Sequence, residues 1–348
     1  MTIKINQTVI GTTHPPYIIA EMSGNHNGDI DNALNIIEKA KKCGANAIKL
    51  QTYTPDTITI KSNKPDFMIK KGLWKNRTLY DLYEEAHTPW EWHGILFNKA
   101  REVGIDIFSS PFDLTSVDFL EKLDVPAYKI ASLEIVDHRL IDYVAKTGKP
   151  IIMSTGLSTI NEINEAVSII KKYHNNICLL HCNSGYPTPI NESNLKTITD
   201  LRERYSLEVG LSDHTLGIIS AITAVSLGAV IIEKHFIVDK ELGGVDSAFS
   251  IGPEELTNLC KMTSEAFSAL GKVNYEITES EKISLSSRRS LYIVKNVKKG
   301  EIANFDNIRS IRPGMGLAPK YLDKIIGKKF IQDFEIGTAT KLEFFEQN

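Results

Sequence analysis

The sequence predicts a (β/α)8 TIM barrel followed by a small, mostly β domain, and three observations predict it. Eight short apolar, β-branched runs recur along the chain, amphipathic stretches lie between them, and polar residues gather where the runs end. The runs are YIIAEM (17–22), NAIKLQ (46–51), IDIFSS (105–110), AYKIAS (127–132), PIIMST (150–155), ICLLHC (177–182), LEVGLS (207–212) and AVIIEKH (229–235). Their near-continuous hydrophobicity is that of parallel strands covered on both faces. An open doubly wound sheet could also use eight strands, but a nucleotide-binding sheet usually opens on a glycine-rich first turn. Here that turn reads M-S-G-N-H-N-G-D, not G-x-G-x-x-G. Glu21, Lys49, Gln51, Ser109, Lys129, Ser132, Ser154, Asn183, Ser212, His214, Glu233 and His235 fall at or just past the C-terminal ends of the runs. In a barrel those ends converge on one mouth, where reactive side chains collect. That distribution decides for the barrel.

The elements between the runs follow in order. Asp31–Cys43 places Ala33, Ile36, Ile37 and Ala40 on one helical face, and Ile160–Tyr173 does the same with Ile163, Val167 and Ile170. Ile218–Leu227 and Glu254–Leu270 also carry the helical period. An insertion, 52–88, separates the second and third runs and is rich in aromatics; it is read either as a lid or substrate wall, or as a plain surface excursion. The barrel is expected to occupy residues 1–274. Residues 275–290 lack an apolar period and read as a linker. From Leu291 to the end, short strands punctuated by Gly and Pro suggest a small domain over 291–348. So small a core is marginal and invites docking on the barrel or a second protomer.

Composition narrows the function. At 348 residues the chain suits about two domains, and its 42% hydrophobic and 24% charged residues are ordinary for a globular protein. A net charge of −3 gives no electrostatic case for nucleic acid or a membrane surface. Four scattered cysteines argue against a disulfide framework, and Cys178 and Cys182 read as buried thiols rather than a zinc knuckle. With no signal-peptide pattern and no bilayer-length apolar stretch, a cytoplasmic location is expected.

Two histidines, in S-D-H-T (212–215) and E-K-H-F (233–236), end adjacent strands, each beside a carboxylate, Asp213 or Glu233. Two imidazoles on one rim can chelate a divalent cation and leave positions open for oxygens; Asp246 could add a ligand or orient water. Lys49 and Lys129 lie inside apolar strands, where an unpaired ammonium is costly. They are either structural partners of Glu21 or Glu134, or, with Ser109, Ser132 and Ser154, an anion cradle for phosphate and carboxylate. A Schiff-base lysine is the competing role. Glu21 is placed for general acid–base work, and Glu134 either joins it or caps the helix beginning near Asp137.

With these residues laid out, the chain resembles the sialic acid synthase family, whose members condense phosphoenolpyruvate with an amino sugar. The motifs are IIAEMSGNHNGD, AIKLQTY, YKIAS-LE, IIMSTG, LLHCNSGYPTP, GLSDHTLG and VIIEKHF, and S-I-R-P-G-M-G-L-A-P is similar to the core of the antifreeze-like (SAF) domain. Within the family, LWKNRTLYDLYEEAHTPWEWH, IFSSPFD and GGVDSAFS are most similar to the pseudaminic acid branch. The alternatives are the N-acetylneuraminate and legionaminate branches; a Schiff-base aldolase and a carbohydrate-binding protein are remoter. The resemblance implies His214 and His235 as ligands of Mn2+, Mg2+ or Co2+. It implies Lys49, Lys129, Ser132, Ser154, Asn183 and Ser212 around phosphoenolpyruvate, with either Ser109 or Ser110. Glu21, Gln51, Tyr186 and Asp246 would face the acetamido sugar. Arg312 would reach the partner subunit's barrel in a homodimer whose SAF domain covers the opposite mouth.

Overall fold

Eight parallel strands close on themselves in the computed structural model, which describes residues 2–347. They are β1 Tyr17–Glu21, β2 Ala47–Thr52, β3 Asp106–Pro111, β4 Tyr128–Ile130, β5 Ile151–Ser154, β6 Ile177–Cys182, β7 Glu208–Asp213 and β8 Ile231–His235. β8 pairs with both β1 and β7, so the sheet has no edge. The helices that follow the strands are α1 Ile30–Cys43, α2 Trp90–Val103, α3 Leu114–Lys122, α4 His138–Lys146, α5 Ile160–Lys171, α6 Thr197–Tyr205, α7 Ile219–Ser226 and α8 Pro253–Leu270. Local chemistry sets their ends. Asp29 caps α1 by accepting from the Asp31 N–H, and Gly44, at φ 98°, stops it in a left-handed turn. Thr159 and Glu162 form a capping box on α5.

The two-residue period of the strands sorts side chains into two cores. Ile18, Ile48, Leu50, Ile107, Ile130, Met153, Leu179, Val209 and Ile232 face the helices. Tyr17, Ile19, Ala47, Phe108, Ala127, Ile152, Cys178, Leu180 and Ile231 form a separate cluster inside the barrel. A short antiparallel hairpin, Ile3–Ile5 with Thr8–Ile10, adds Ile3, Ile5 and Ile10 to that inner cluster and stoppers its N-terminal end. The insertion after β2 carries Pro55–Ile58 and Leu79–Ala86 as short helices.

The chain divides into two units, one running to Gly271 and the other beginning at Lys272. The segment expected as a linker belongs to the second unit. It holds a helical turn at Glu279–Lys282 and a 3-10 turn at Ile283–Ser287, and the Gly314 N–H donates to the Ser286 carbonyl. In the second unit, β9 Ser290–Ile293 pairs antiparallel with β10 Ile308–Ile311. Leu291, Ile293, Val297, Ile308, Phe330, Phe334 and Phe345 make its core. The remaining strand-like segments join through isolated bridges rather than ladders. Among the described residues, no helix is long and apolar enough to cross a membrane, and all four cysteines are free.

Candidate active site

One more step of the two-residue period carries the inner face from apolar to charged. Glu21, Lys49, Ser110, Lys129, Ser154, Ser212 and Glu233 follow the inner cluster at the C-terminal ends of their strands, and all are buried. The Lys49 ammonium lies 2.7 Å from Glu21 Oε2 and 3.8 Å from Glu233 Oε2, and it donates to Ser110 Oγ at 3.3 Å. Lys129 donates to Ser154 Oγ at 2.7 Å and lies 3.8 Å from Glu233 Oε1, which also accepts from Ser212 Oγ at 3.0 Å. Gln51 donates to Glu21 Oε1 at 2.9 Å. Two ammoniums and two carboxylates therefore neutralise one another inside the barrel.

Burial opposes charge on all four, and the neighbours decide each outcome. For Lys49, burial is outweighed by Glu21 and Glu233, so its pKa rises. For Lys129, burial prevails over Glu233 and its pKa falls. Burial pushes Glu21 up against the pull of Lys49, whereas the two lysines overcome burial at Glu233 and hold it down. Sequence offers Glu21 or Glu134 as the lysines' partners; in the structure Glu233 stands beside Glu21 in that place. Glu134 ends a 3-10 turn, Ser132–Glu134, and burial pushes its carboxyl up to about 7. It is not the cap of α4: Asp137 is, accepting from the Leu140 N–H at 3.0 Å.

A hydroxyl-lined recess adjoins Lys129. The Gly156 N–H donates to Ser132 Oγ at 3.1 Å. A Cβ at Gly156 would stand 2.4 Å from Ser184 Oγ and 2.8 Å from Ser132 Oγ, so a side chain there would push both hydroxyls out of the recess. Ser184 Oγ is buried there without a hydrogen-bond partner in the protein, which leaves it free to bond a ligand. Nothing in the sequence singled it out.

The two histidines meet at the mouth, their ring centroids 5.4 Å apart. His214 donates from Nδ1 to the Asn183 carbonyl at 2.8 Å, which in the neutral ring leaves Nε2 as a free lone pair. Burial disfavours its proton, but Cys182 and that carbonyl outweigh burial, so proton and cation compete for this ring. Burial, with His214 and the nearby lysines, holds His235 well below the usual imidazole range. Its Nδ1 is buried without a hydrogen-bond partner, 3.9 Å from Asp246 Oδ2. Two facing imidazoles, one with an orphaned nitrogen, fit a divalent cation whose other ligands are oxygens. Among the described residues no third His, Cys, Asp or Glu completes a protein-only cage. Asp213 stands outside this site, since its carboxylate pairs with Lys234 at 2.7 Å on the helix side.

An aromatic wall flanks the imidazoles. Tyr186 lies 4.3 Å from His214 and 5.0 Å from Phe249, whose ring is 4.8 Å from His235. Trp74, from the insertion, sits 5.9 Å from Tyr186 and donates its indole N–H to the Val245 carbonyl at 2.8 Å. The insertion is thus a wall of the site rather than a surface excursion. Asp246 bonds Ser23 Oγ, which also accepts from Gln51 at 3.4 Å.

Of the residues expected from sequence, two lie differently. Ser109 faces away from the lysines and pairs with Thr52 Oγ1 at 2.6 Å, so Ser110 is the hydroxyl beside Lys49. The Asn183 side chain is engaged within its own loop, with Gly185 N and the Glu192 carbonyl, and its backbone carbonyl is what positions His214. Arg312 lies exposed just past β10 in the second unit.

The model of the NeuB family matches residues 36–275, and that of the SAF domain matches 288–339. A pseudaminic acid synthase of Campylobacter jejuni subsp. jejuni serotype O:23/36 is 46% identical, over 93% of this chain and 95% of its own. One of Helicobacter pylori is 40% identical over 96% of this chain and 99% of its own. The crystal structure of an N-acetylneuraminic acid synthetase from Leptospira borgpetersenii, in complex with citrate, superposes with a TM-score of 0.74 at 33% identity, covering 82% of this chain and 95% of that one.

Proposed function

The chain belongs to the NeuB family, the sialic acid synthases that its motifs resemble, and acts as a pseudaminic acid synthase; from that premise we propose how its own residues perform the reaction. The enzyme condenses phosphoenolpyruvate with 2,4-diacetamido-2,4,6-trideoxy-β-L-altrose and water, giving pseudaminic acid and phosphate. The observation that carries this reading is the adjacency, at one barrel mouth, of two buried ammoniums ringed by hydroxyls and two facing imidazoles.

Lys49 and Lys129 hold the carboxylate and phosphate of phosphoenolpyruvate, with Ser110, Ser132, Ser154, Ser184 and Ser212 supplying hydroxyl contacts. These charges are fixed before reaction and cost no reorganisation when the enol carbon attacks. A divalent cation held by His214 and His235 would polarise the aldehyde oxygen of the open-chain sugar. C3 of phosphoenolpyruvate bonds to the aldehyde carbon, and Glu21, whose carboxyl burial raises against the pull of Lys49, passes that oxygen a proton. Positive character then develops at C2, water adds there, and its released proton restores Glu21. The bond from C2 to the phosphate oxygen breaks, the new C2 hydroxyl becomes the keto group, and its proton leaves with the departing phosphate. Holding both reactants in one pocket converts their encounter into a unimolecular step.

The wall of Trp74, Tyr186 and Phe249 supports a sugar with an apolar, 6-deoxy end. An apolar rim supports a homodimer. Leu133, Leu157, Ile190, Leu216, Ile219 and Leu242 follow successive strand ends and are exposed, Leu157 by 77%. A partner's SAF domain laid over this rim would bring its Arg312 to the sugar. Free cysteines suit a cytoplasmic location.

The test is a panel of open-chain-capable hexosamines incubated with phosphoenolpyruvate and Mn2+, read by phosphate release and product mass. The altro sugar is expected to turn over, with N-acetylmannosamine and the legionaminate precursor at least about a hundredfold slower. Preference for either of those would move the enzyme to a sister branch, and trapping of a pyruvate imine by borohydride would make it a Schiff-base enzyme.

A further inference from the structure

A second charged cluster lies on the far side of the same two strands. The alternation that turns Ser212 and Glu233 into the barrel turns Asp213 and Lys234 toward the helices. The two residues are register partners across β7 and β8. Their side chains are 1% and 0% exposed, and each immediately precedes one of the two imidazoles.

The contacts converge on the backbone around His214. Lys234 Nζ donates to Asp213 Oδ2 at 2.7 Å and to the Thr215 carbonyl at 2.6 Å. Asp213 Oδ1 accepts from the Thr215 N–H at 2.9 Å and from Thr215 Oγ1 at 2.8 Å. One ammonium thus grips the residue before His214 and the residue after it, from the strand that ends in His235. On the other side the Thr188 N–H donates to the His214 carbonyl at 3.0 Å. Ser220 Oγ, 3.2 Å from Thr215 Oγ1, extends the cluster into α7.

Stability alone is a weak reason for such a pair. A buried ion pair seldom outperforms apolar side chains of the same volume, because desolvation offsets its attraction. What apolar residues cannot supply is a directional clamp on three atoms of one turn. We propose that Lys234 and Asp213 are positioning residues that set the separation of the His214 and His235 rings, and thereby the affinity for a divalent cation. This rests on the reading of those imidazoles as cation ligands.

The experiment titrates full-length, EDTA-treated protein with MnCl2 by calorimetry and needs no turnover. The parent is expected to bind Mn2+, and His235→Ala to lose that binding. The paired variant Lys234→Met/Asp213→Leu removes both charges together, so no lone ion stays buried, and releases the Thr215 N–H and carbonyl. It should weaken Mn2+ binding about tenfold or more, keep phosphoenolpyruvate affinity within about twofold and leave the metal-free melting temperature within a few degrees. A folded paired variant that binds Mn2+ within twofold of the parent overturns the proposal. Should that variant not fold, Lys234→Met, which releases the Thr215 carbonyl from the strand of His235 and leaves Asp213 its bonds from Thr215, is judged by the same tenfold and twofold criteria. A parent that binds no Mn2+ overturns the cation reading itself, and the positioning role with it.

Discussion

Two halves of one cavity, built by the same strands, differ completely in chemistry. Toward the N-terminal end the inner face carries Ile19, Ala47, Phe108, Ala127, Ile152 and Ile231. Two residues further along, the same strands present Glu21, Lys49, Ser110, Lys129, Ser154 and Glu233. The step between the halves is about 7 Å at the usual strand rise. The lower half is dry, sealed by the hairpin, and made of side chains with few alternative positions. A rigid, apolar base is what allows four ionisable groups to be held above it at fixed distances. It also lowers the local dielectric, which strengthens their hold on an anion. Binding power above and packing below are one arrangement seen from two ends.

Substitutions should separate the halves. The largest effect is expected in the upper half: Lys129→Met should lower kcat/KM for phosphoenolpyruvate by about a thousandfold, measured by phosphate release. A loss under tenfold would show that the ammonium does not face the anion. Phe108→Ala in the lower half should cost about 3–5 kcal/mol of stability by denaturant titration. Its remaining folded fraction should keep kcat within about twofold, since no reacting group sits there. If activity collapses while stability holds, the base is part of the chemistry and the division is wrong. Ser184→Ala should raise KM for phosphoenolpyruvate about tenfold with kcat nearly unchanged, the loss of one hydrogen bond to a charged group. An unchanged KM would leave the hydroxyl outside the recess's function.

The smallest effect concerns pH. Burial raises Glu134 to about 7, above the usual carboxylate value of 4.5, so the folded state binds more protons than the unfolded chain between these values. Stability from this group is present in acid and declines as pH rises from about 4.5 to 7. Glu134→Gln should flatten that part of the parent's stability profile, followed by melting temperature at fixed salt. A slope shared by parent and variant would assign it elsewhere.

Much of this architecture was legible in the sequence. Each of the eight apolar runs contains or overlaps one barrel strand, and Ile160 and Leu270 were placed at true helix ends. Polar residues at strand ends do mark the mouth. What that rule ignored was parity. Ser109 and Ser110 are both polar and both near the end of β3, yet only Ser110 has the phase of Phe108 and faces Lys49. Asp213 was read as a carboxylate beside His214, although alternation sends it to Lys234 instead. Counting two residues back from each histidine would have corrected this and brought Glu233 forward as an inward group. Other features lie beyond any local pattern. The role of Trp74 depends on a 171-residue separation from Val245, and the empty hydrogen-bonding capacity of Ser184 depends on three loops meeting at Gly156.

The hairpin that stoppers the barrel has a consequence for solvent traffic. Because Ile3, Ile5 and Ile10 fill the N-terminal end of the lumen, the described residues leave the opposite end as the doorway that reactants, water and released phosphate share. Departure of the inorganic product must then precede the next round's arrivals, and whatever obstructs that doorway governs entry and exit alike.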